Sequence, residues 1–108
     1  MIVYLAGPIT GVKHYKDTFN RAAAALEDLG DIVINPATLP QGMPNNLYMP
    51  ICLEMIKAAD LVILLPGWDN SEGARLEKQF ADYQGKPTVE INIYIPKSQA
   101  AKLVKKFF

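Results

Sequence analysis

The residues best placed to do chemistry lie in one short segment, Ser71-Glu72-Gly73-Ala74-Arg75-Leu76-Glu77, which follows Leu65-Pro66-Gly67-Trp68-Asp69-Asn70. The break at Pro66-Gly67 and the pattern after it read as a helix start. Ser71 and the amides around Gly73 then sit at a helix N-terminus, a ready anion site. Glu77 follows one turn later, where the positive end of the helix dipole is expected to keep its carboxylate ionised. An ionised carboxylate beside a bound sugar stabilises an oxocarbenium-like centre or attacks it. A surface helix capped by Asp69 or Ser71, with Glu77 solvated, fits the same spacing. Trp68 suits stacking on a base and equally suits covering core or a subunit contact.

A second segment, Tyr4-Leu5-Ala6-Gly7-Pro8-Ile9-Thr10-Gly11, ends an apolar run with two glycines. They let backbone approach a ligand, and exposed N–H groups there can receive an oxyanion or hydroxyl. The spacing is neither that of a dinucleotide-binding G-x-G-x-x-G nor that of a phosphate loop. Taken alone, it reads as a strand-exit turn. Cys52 is the only cysteine and His14 the only histidine. A nucleophilic role for Cys52 would need a nearby base or positive field, so a buried small hydrophobe is the expected role. His14 falls in an expected loop and reads as solvated.

The elements that must position these residues follow from apolar periodicity. Ile2 to Ala6 is a continuous apolar run, as in a strand buried on both faces. Tyr15, Phe19, Ala22, Leu26 and Leu29 share one helical face, stopped by Gly30. Ile32 to Ile34 is a short strand. Residues 36–50 contain Pro36, Pro40, Pro44 and Pro50 and read mostly as a loop, of a length often used as a lid. Pro50 suits the first turn of a helix running to about Ala59.

Leu61 to Leu65 is the most hydrophobic run and an expected central strand. A helix from about Gly73 to Gln84 follows, with Leu76, Phe80 and Tyr83 as its apolar face. Thr88 to Ile95 reads as a fourth strand, and Ser98 as the cap of a final helix. The alternation predicts an α/β fold, a single-domain Rossmann/flavodoxin-like three-layer sandwich over residues 1–108 with a four- to five-stranded parallel sheet. Ligands of such sheets bind beyond the carboxyl ends of the strands where the order reverses. The two glycine-bearing loops should meet there.

Bulk properties exclude several classes. The 108 residues suit one core, half of them are apolar, and 11 Lys plus Arg balance 11 Asp plus Glu. No global field draws the chain to a polynucleotide or an anionic membrane. One cysteine rules out an intramolecular disulfide framework and a multi-cysteine zinc site. No metal or cofactor is expected. The N-terminus shows no basic leader, and no run approaches the roughly 20 apolar residues of a membrane span. The expected compartment is the cytoplasm.

The combination of Tyr4-Leu5-Ala6-Gly7-Pro8-Ile9-Thr10-Gly11, Ser71-x-Gly73-Ala74-x-x-Glu77 and Gly85-Lys86-Pro87 resembles the nucleoside 2-deoxyribosyltransferase superfamily. With Leu64-Leu65-Pro66-Gly67-Trp68 added, it resembles more closely a small bacterial and phage branch of DUF4406 type. The match runs from about Ile2 to Pro87. The resemblance implies that Glu77 is the catalytic glutamate acting at the anomeric carbon and that Tyr4 is a tyrosine beside it. Ser71 and Gly73 match the phosphate-contacting residues of the related deoxynucleoside 5′-monophosphate N-glycosidases. Gly7, Pro8, Ile9, Thr10, Gly11, Cys52, Trp68, Asp69 and Ala74 complete the implied substrate site.

One departure concerns a second acid, which the family keeps at the position of Cys52, eight residues before Asp60. A thiol, with an ordinary pKa of about 8.5, replaces it poorly in proton transfer. Glu54 lies about 200° round a helix from Cys52. The implied ligand is a nucleoside or nucleotide, and the implied assembly a homodimer or larger homo-oligomer. A nucleotide-sensing module without turnover is the alternative. A weaker one is an interaction protein using the apolar C-terminal residues Leu103, Val104, Phe107 and Phe108.

Overall fold

The apolar run Ile2–Ala6 forms β1 at the middle of a four-stranded, all-parallel sheet. The computed structural model describes the backbone of residues 1–107 and the side chains of residues 1–101. Along the chain β1 is followed by α1 (Tyr15–Asp28), β2 (Ile32–Ile34), a 3-10 turn at Pro36–Thr38 and α2 (Asn45–Ala58). Next come β3 (Leu61–Leu64), a 3-10 turn at Trp68–Asn70, α3 (Glu72–Tyr83), β4 (Thr88–Glu90) and α4 (Ile91–Phe107). The strand order is β2-β1-β3-β4, with Tyr4 level with Ile34 on one side and Val62 on the other. The chain reverses its direction of travel across the sheet between β1 and β3, which puts the switch point where the sequence places it.

Side-chain alternation along β1 and β3 builds two cores. Val3, Leu5, Leu61, Ile63 and Leu65 join Phe19, Ala23 and Leu26 of α1, with Ile91, Tyr94 and Ile95 of α4 packed against them. Tyr4, Ala6, Val62 and Leu64 turn the other way, towards Cys52 and Ile56 of α2 and Ala81 of α3. Burial on both faces is why neither strand shows polar alternation.

α1 ends as its sequence predicts. Gly30, at φ 97°, donates to Glu27, and Asp31 donates to the Leu26 carbonyl. Gly85, at φ 72°, closes α3 with the same pair of bonds, to Asp82 and Ala81. A left-handed residue after the last turn satisfies carbonyls that the helix leaves unpaired.

Four expectations need correction. The strand expected over Thr88–Ile95 stops at Glu90, and Ile91 opens α4. Its β-branched residues suggest a strand, but Ile91, Tyr94 and Ile95 have the i, i+3, i+4 spacing of a helix and pack as one. Ser98 therefore lies inside α4 and does not cap it. α2 starts at Asn45, not Pro50, leaving Pro50 in its second turn. Proline there forfeits one bond to the carbonyl four residues earlier, and packing of the remaining turns outweighs that loss.

The buried face of α3 is Ala74, Glu77 and Ala81, while Leu76 and Tyr83 are 47% and 85% exposed. Two alanines on the inner face allow the close helix–sheet approach that bulkier residues would prevent. The expected apolar C-terminal surface at Leu103, Val104, Phe107 and Phe108 lies outside the described side chains. Among the described residues no helix is long and apolar enough to cross a membrane.

Candidate functional site

The two glycine-bearing loops meet at backbone level. A Cβ on Gly7 would stand 2.9 Å from the Cβ of Leu65, closer than real side chains pack. The Leu65 amide donates to the Ala6 carbonyl at 2.8 Å, joining the two strand exits. Beyond them Gly67, at φ 84°, turns the chain into the Trp68–Asn70 turn, and a Cβ there would lie 3.4 Å from Pro8. Ser71 caps α3, its hydroxyl oxygen accepting from the Ala74 amide at 3.2 Å. Helical spacing then carries Glu77 to the face that Ala74 occupies, against the sheet.

There the structure brings together three sequence-predicted residues from three elements. The Tyr4 hydroxyl of β1 donates to Oε2 of Glu77. The Cys52 thiol of α2 packs in the same core cluster as Tyr4, close enough to couple electrostatically to both. Tyr4 is fully buried, and Glu77 and Cys52 are 6% and 7% exposed. Glu77 is the only buried charged or polar side chain of the described core.

The electrostatics reverse the expectation of a dipole-held ionised Glu77. Burial pushes its carboxyl up to about 7, and the Tyr4 hydrogen bond only partly offsets this. Past the first helical turn the dipole has little hold, whereas loss of water acts on the charged form wherever it is buried. Glu77 therefore exchanges its proton near neutrality, the range in which a carboxyl can serve as either acid or base. Burial also raises the Cys52 thiol; the Tyr4 hydroxyl partly offsets this and the nearby Glu77 charge adds to it. Burial, then the Glu77 charge, hold the Tyr4 hydroxyl well above the usual phenol range.

The other sequence-predicted residues are placed less uniformly. Gly7 and Pro8 sit at the loop junction, and Gly73 lies in the first turn of α3 with Met49 of α2 over it, its Cε 3.7 Å from where a Cβ would be. Ala74 is buried beside Glu77 on the inner face of α3. Ile9 packs against the α1/α4 core, on the face opposite Glu77, and Thr10 and Gly11 are exposed. Asp69 is exposed in the 3-10 turn. Trp68 packs against the α2/α3 core, donates to Glu90 at 3.3 Å and carries the Lys78 ammonium 6.0 Å from its ring centroid. That favours its role as a cover over core.

Met49 was not singled out from the sequence. It lies in the proline-rich segment read as a lid, but nothing in its spacing aims it at Gly73. A shallow apolar groove lined by Ile34, Pro50, Ile51, Glu54, Met55 and Ala58 runs along α2, and the Tyr4–Glu77 pair is not part of its walls. Among the described residues no three His, Cys, Asp or Glu side chains cluster as metal ligands.

The fold is that of a nucleoside 2-deoxyribosyltransferase-like α/β protein. A 2-deoxyribosyltransferase from Bacillus psychrosaccharolyticus superposes with a TM-score of 0.65 at 25% identity, over 83% of this chain and 71% of that one. A 2-deoxyribosyltransferase from Leishmania mexicana superposes with a TM-score of 0.66 at 18% identity, covering 82% of this chain and 62% of that one, and shares the fold. The chain belongs to the DUF4406 family, described as a domain of unknown function, which matches residues 1–90. A search of curated proteins finds no match.

Proposed function

We propose that the protein cleaves or transfers at the N-glycosidic bond of a small nucleoside or nucleotide, with Glu77 acting at C1′. The observation that carries this reading is the buried Tyr4–Glu77 pair beside the switch point of the sheet. The Bacillus protein of the same fold is by name a 2-deoxyribosyltransferase. In the ionised form Glu77 captures or stabilises the anomeric carbon, and Tyr4 holds its carboxylate in place. The loop junction at Gly7 and Pro8 flanks the sugar and base. Ser71, whose oxygen is already engaged as a cap, still has a proton to donate to a 5′-phosphate at the start of α3. Met49 and the segment before it shield the site from water.

The reaction belongs to a cytoplasmic protein with no polynucleotide partner. The exposed Leu76 and Tyr83 of α3 and Leu47 of α2 support self-association, as a homodimer or larger assembly.

A second reading, a nucleotide-sensing module, draws on Cys52, which puts a buried thiol where a second acid would assist the leaving base. Product analysis separates the two. The protein is incubated with ribo- and deoxyribonucleosides and their 5′-monophosphates, with and without a second free base. Glycosidic activity releases free base, or forms a new nucleoside, and falls at least ~100-fold in Glu77→Gln. Absence of turnover together with a ligand-dependent rise in Tm identifies the sensing module.

A further inference from the structure

The Tyr4–Glu77–Cys52 cluster holds one carboxylate and no competent second acid. Other acids near it in the chain are occupied or turned away. Glu54 pairs with Lys57 at 3.0 Å on the exposed side of α2, and Asp60 accepts from the Ile2 amide at 2.9 Å. Glu90 accepts from Trp68, Asp69 is exposed, and Glu72 lies about 140° round α3 from Glu77. A neutral purine or pyrimidine leaves a sugar as an anion unless it is protonated as the bond breaks. The groups facing Glu77 here, a phenol and a thiol both pushed upward, are poor donors for that step.

Glu77 also lacks a cationic partner among the described residues, though it is nine-tenths buried. A buried carboxylate left with one hydrogen bond costs stability that an opposite charge in front of it would offset.

We propose that the preferred glycosyl donor is an N-glycosyl pyridinium, whose glycosidic nitrogen carries a fixed positive charge. This rests on the glycosidic reading of the site and names its substrate class. The C1′–N bond breaks with its electron pair going to the ring nitrogen, so the pyridine leaves neutral and needs no proton. The Glu77 carboxylate bonds to C1′ as the ring departs. Water then displaces Glu77 from C1′ and loses one proton to solvent, which regenerates the carboxylate. The fixed charge of the donor also draws Glu77 into its ionised form on binding, so one carboxylate suffices.

The test compares nicotinamide riboside and its 5′-monophosphate with nucleosides and 5′-monophosphates of the neutral bases, at equal concentration, by chromatography of the released base. The pyridinium donors are expected to react at least ~100-fold faster, the low end of what a positioned general acid contributes. Glu77→Gln should abolish their cleavage. Cys52→Asp, which places an acid beside the leaving group, should raise the neutral-base rates ~10-fold or more while leaving the pyridinium rates no higher. The wild-type ratio decides by itself should Cys52→Asp not fold. Glu77-dependent cleavage of neutral-base donors at rates within ~10-fold of the pyridinium donors overturns this inference and leaves the glycosidic reading standing. Failure of every donor overturns both.

Discussion

The two faces of the sheet are built from the same strands but do different work. On the α1/α4 face, Val3, Leu5, Ile63 and Leu65 meet Phe19, Ala23 and Leu26 in a core whose fully buried side chains are all hydrocarbon, the Tyr94–Asp31 hydrogen bond lying at its edge. On the α2/α3 face, one residue along each strand, the same backbone presents Tyr4 to Glu77 and Cys52. The first face stabilises by excluding water from hydrocarbon, a term nearly blind to pH. The second spends part of that stability on keeping a carboxyl out of water, and so becomes sensitive to protons. Alternation along β1 lets one strand support both without compromise, because neighbouring side chains never share a face.

Removing bulk from the inert face should give the largest effect. Phe19→Ala is expected to cost about 3–5 kcal/mol, measured by urea unfolding, with a cost that stays flat between pH 4 and 8. A cost that varied with pH over that range would erase the contrast between the faces.

The reactive face should behave in the opposite way. Folded Glu77 keeps its proton up to about 7, whereas the unfolded chain releases it near 4.5. Between those values the unfolded state binds fewer protons, so stability falls as pH rises and levels off above about 7. The shift corresponds to about 3 kcal/mol across the window. Glu77→Gln should remove this slope, leaving a wild-type-minus-variant difference that grows from pH 4.5 to 7. Parallel curves for the two proteins would place Glu77 in water.

Tyr4→Phe should have the smallest effect, about 1–2 kcal/mol above neutral pH and less in acid, where Glu77 is already neutral. Its hydrogen bond favours the carboxylate. The Glu77 midpoint should therefore move higher still, as read by carboxyl-carbon NMR titration. A downward move would mean that Tyr4 does not donate to Glu77.

How much of this was legible in the chain depended on how local the cause is. β1 and β3 could be read because burial on both faces leaves a continuous apolar run, and α1 because its stripe and Gly30 agree. α3 was misread at its face: hydrophobicity favours Leu76 and Tyr83, but close approach to the sheet selects Ala74 and Ala81, and the sheet is not a local property. At Ile91–Ile95, strand propensity and helical spacing disagree, and packing against the α1-side core decides for the helix. The position of Glu77 came from family resemblance. Its protonation did not, because loss of water depends on what α2 and β1 lay over it.

The contact of Gly7 with Leu65 sets a division of labour between inheritance and novelty. Because the two strand exits touch through backbone and one missing methyl group, the frame of the site owes little to the side chains further along either loop. Thr10, Asp69 and Asn70, all out in solvent, are free to drift through successive generations without disturbing that frame. A lineage can thus try new ligands at its rim while the weld beneath stays intact. Gly7 itself has no such freedom.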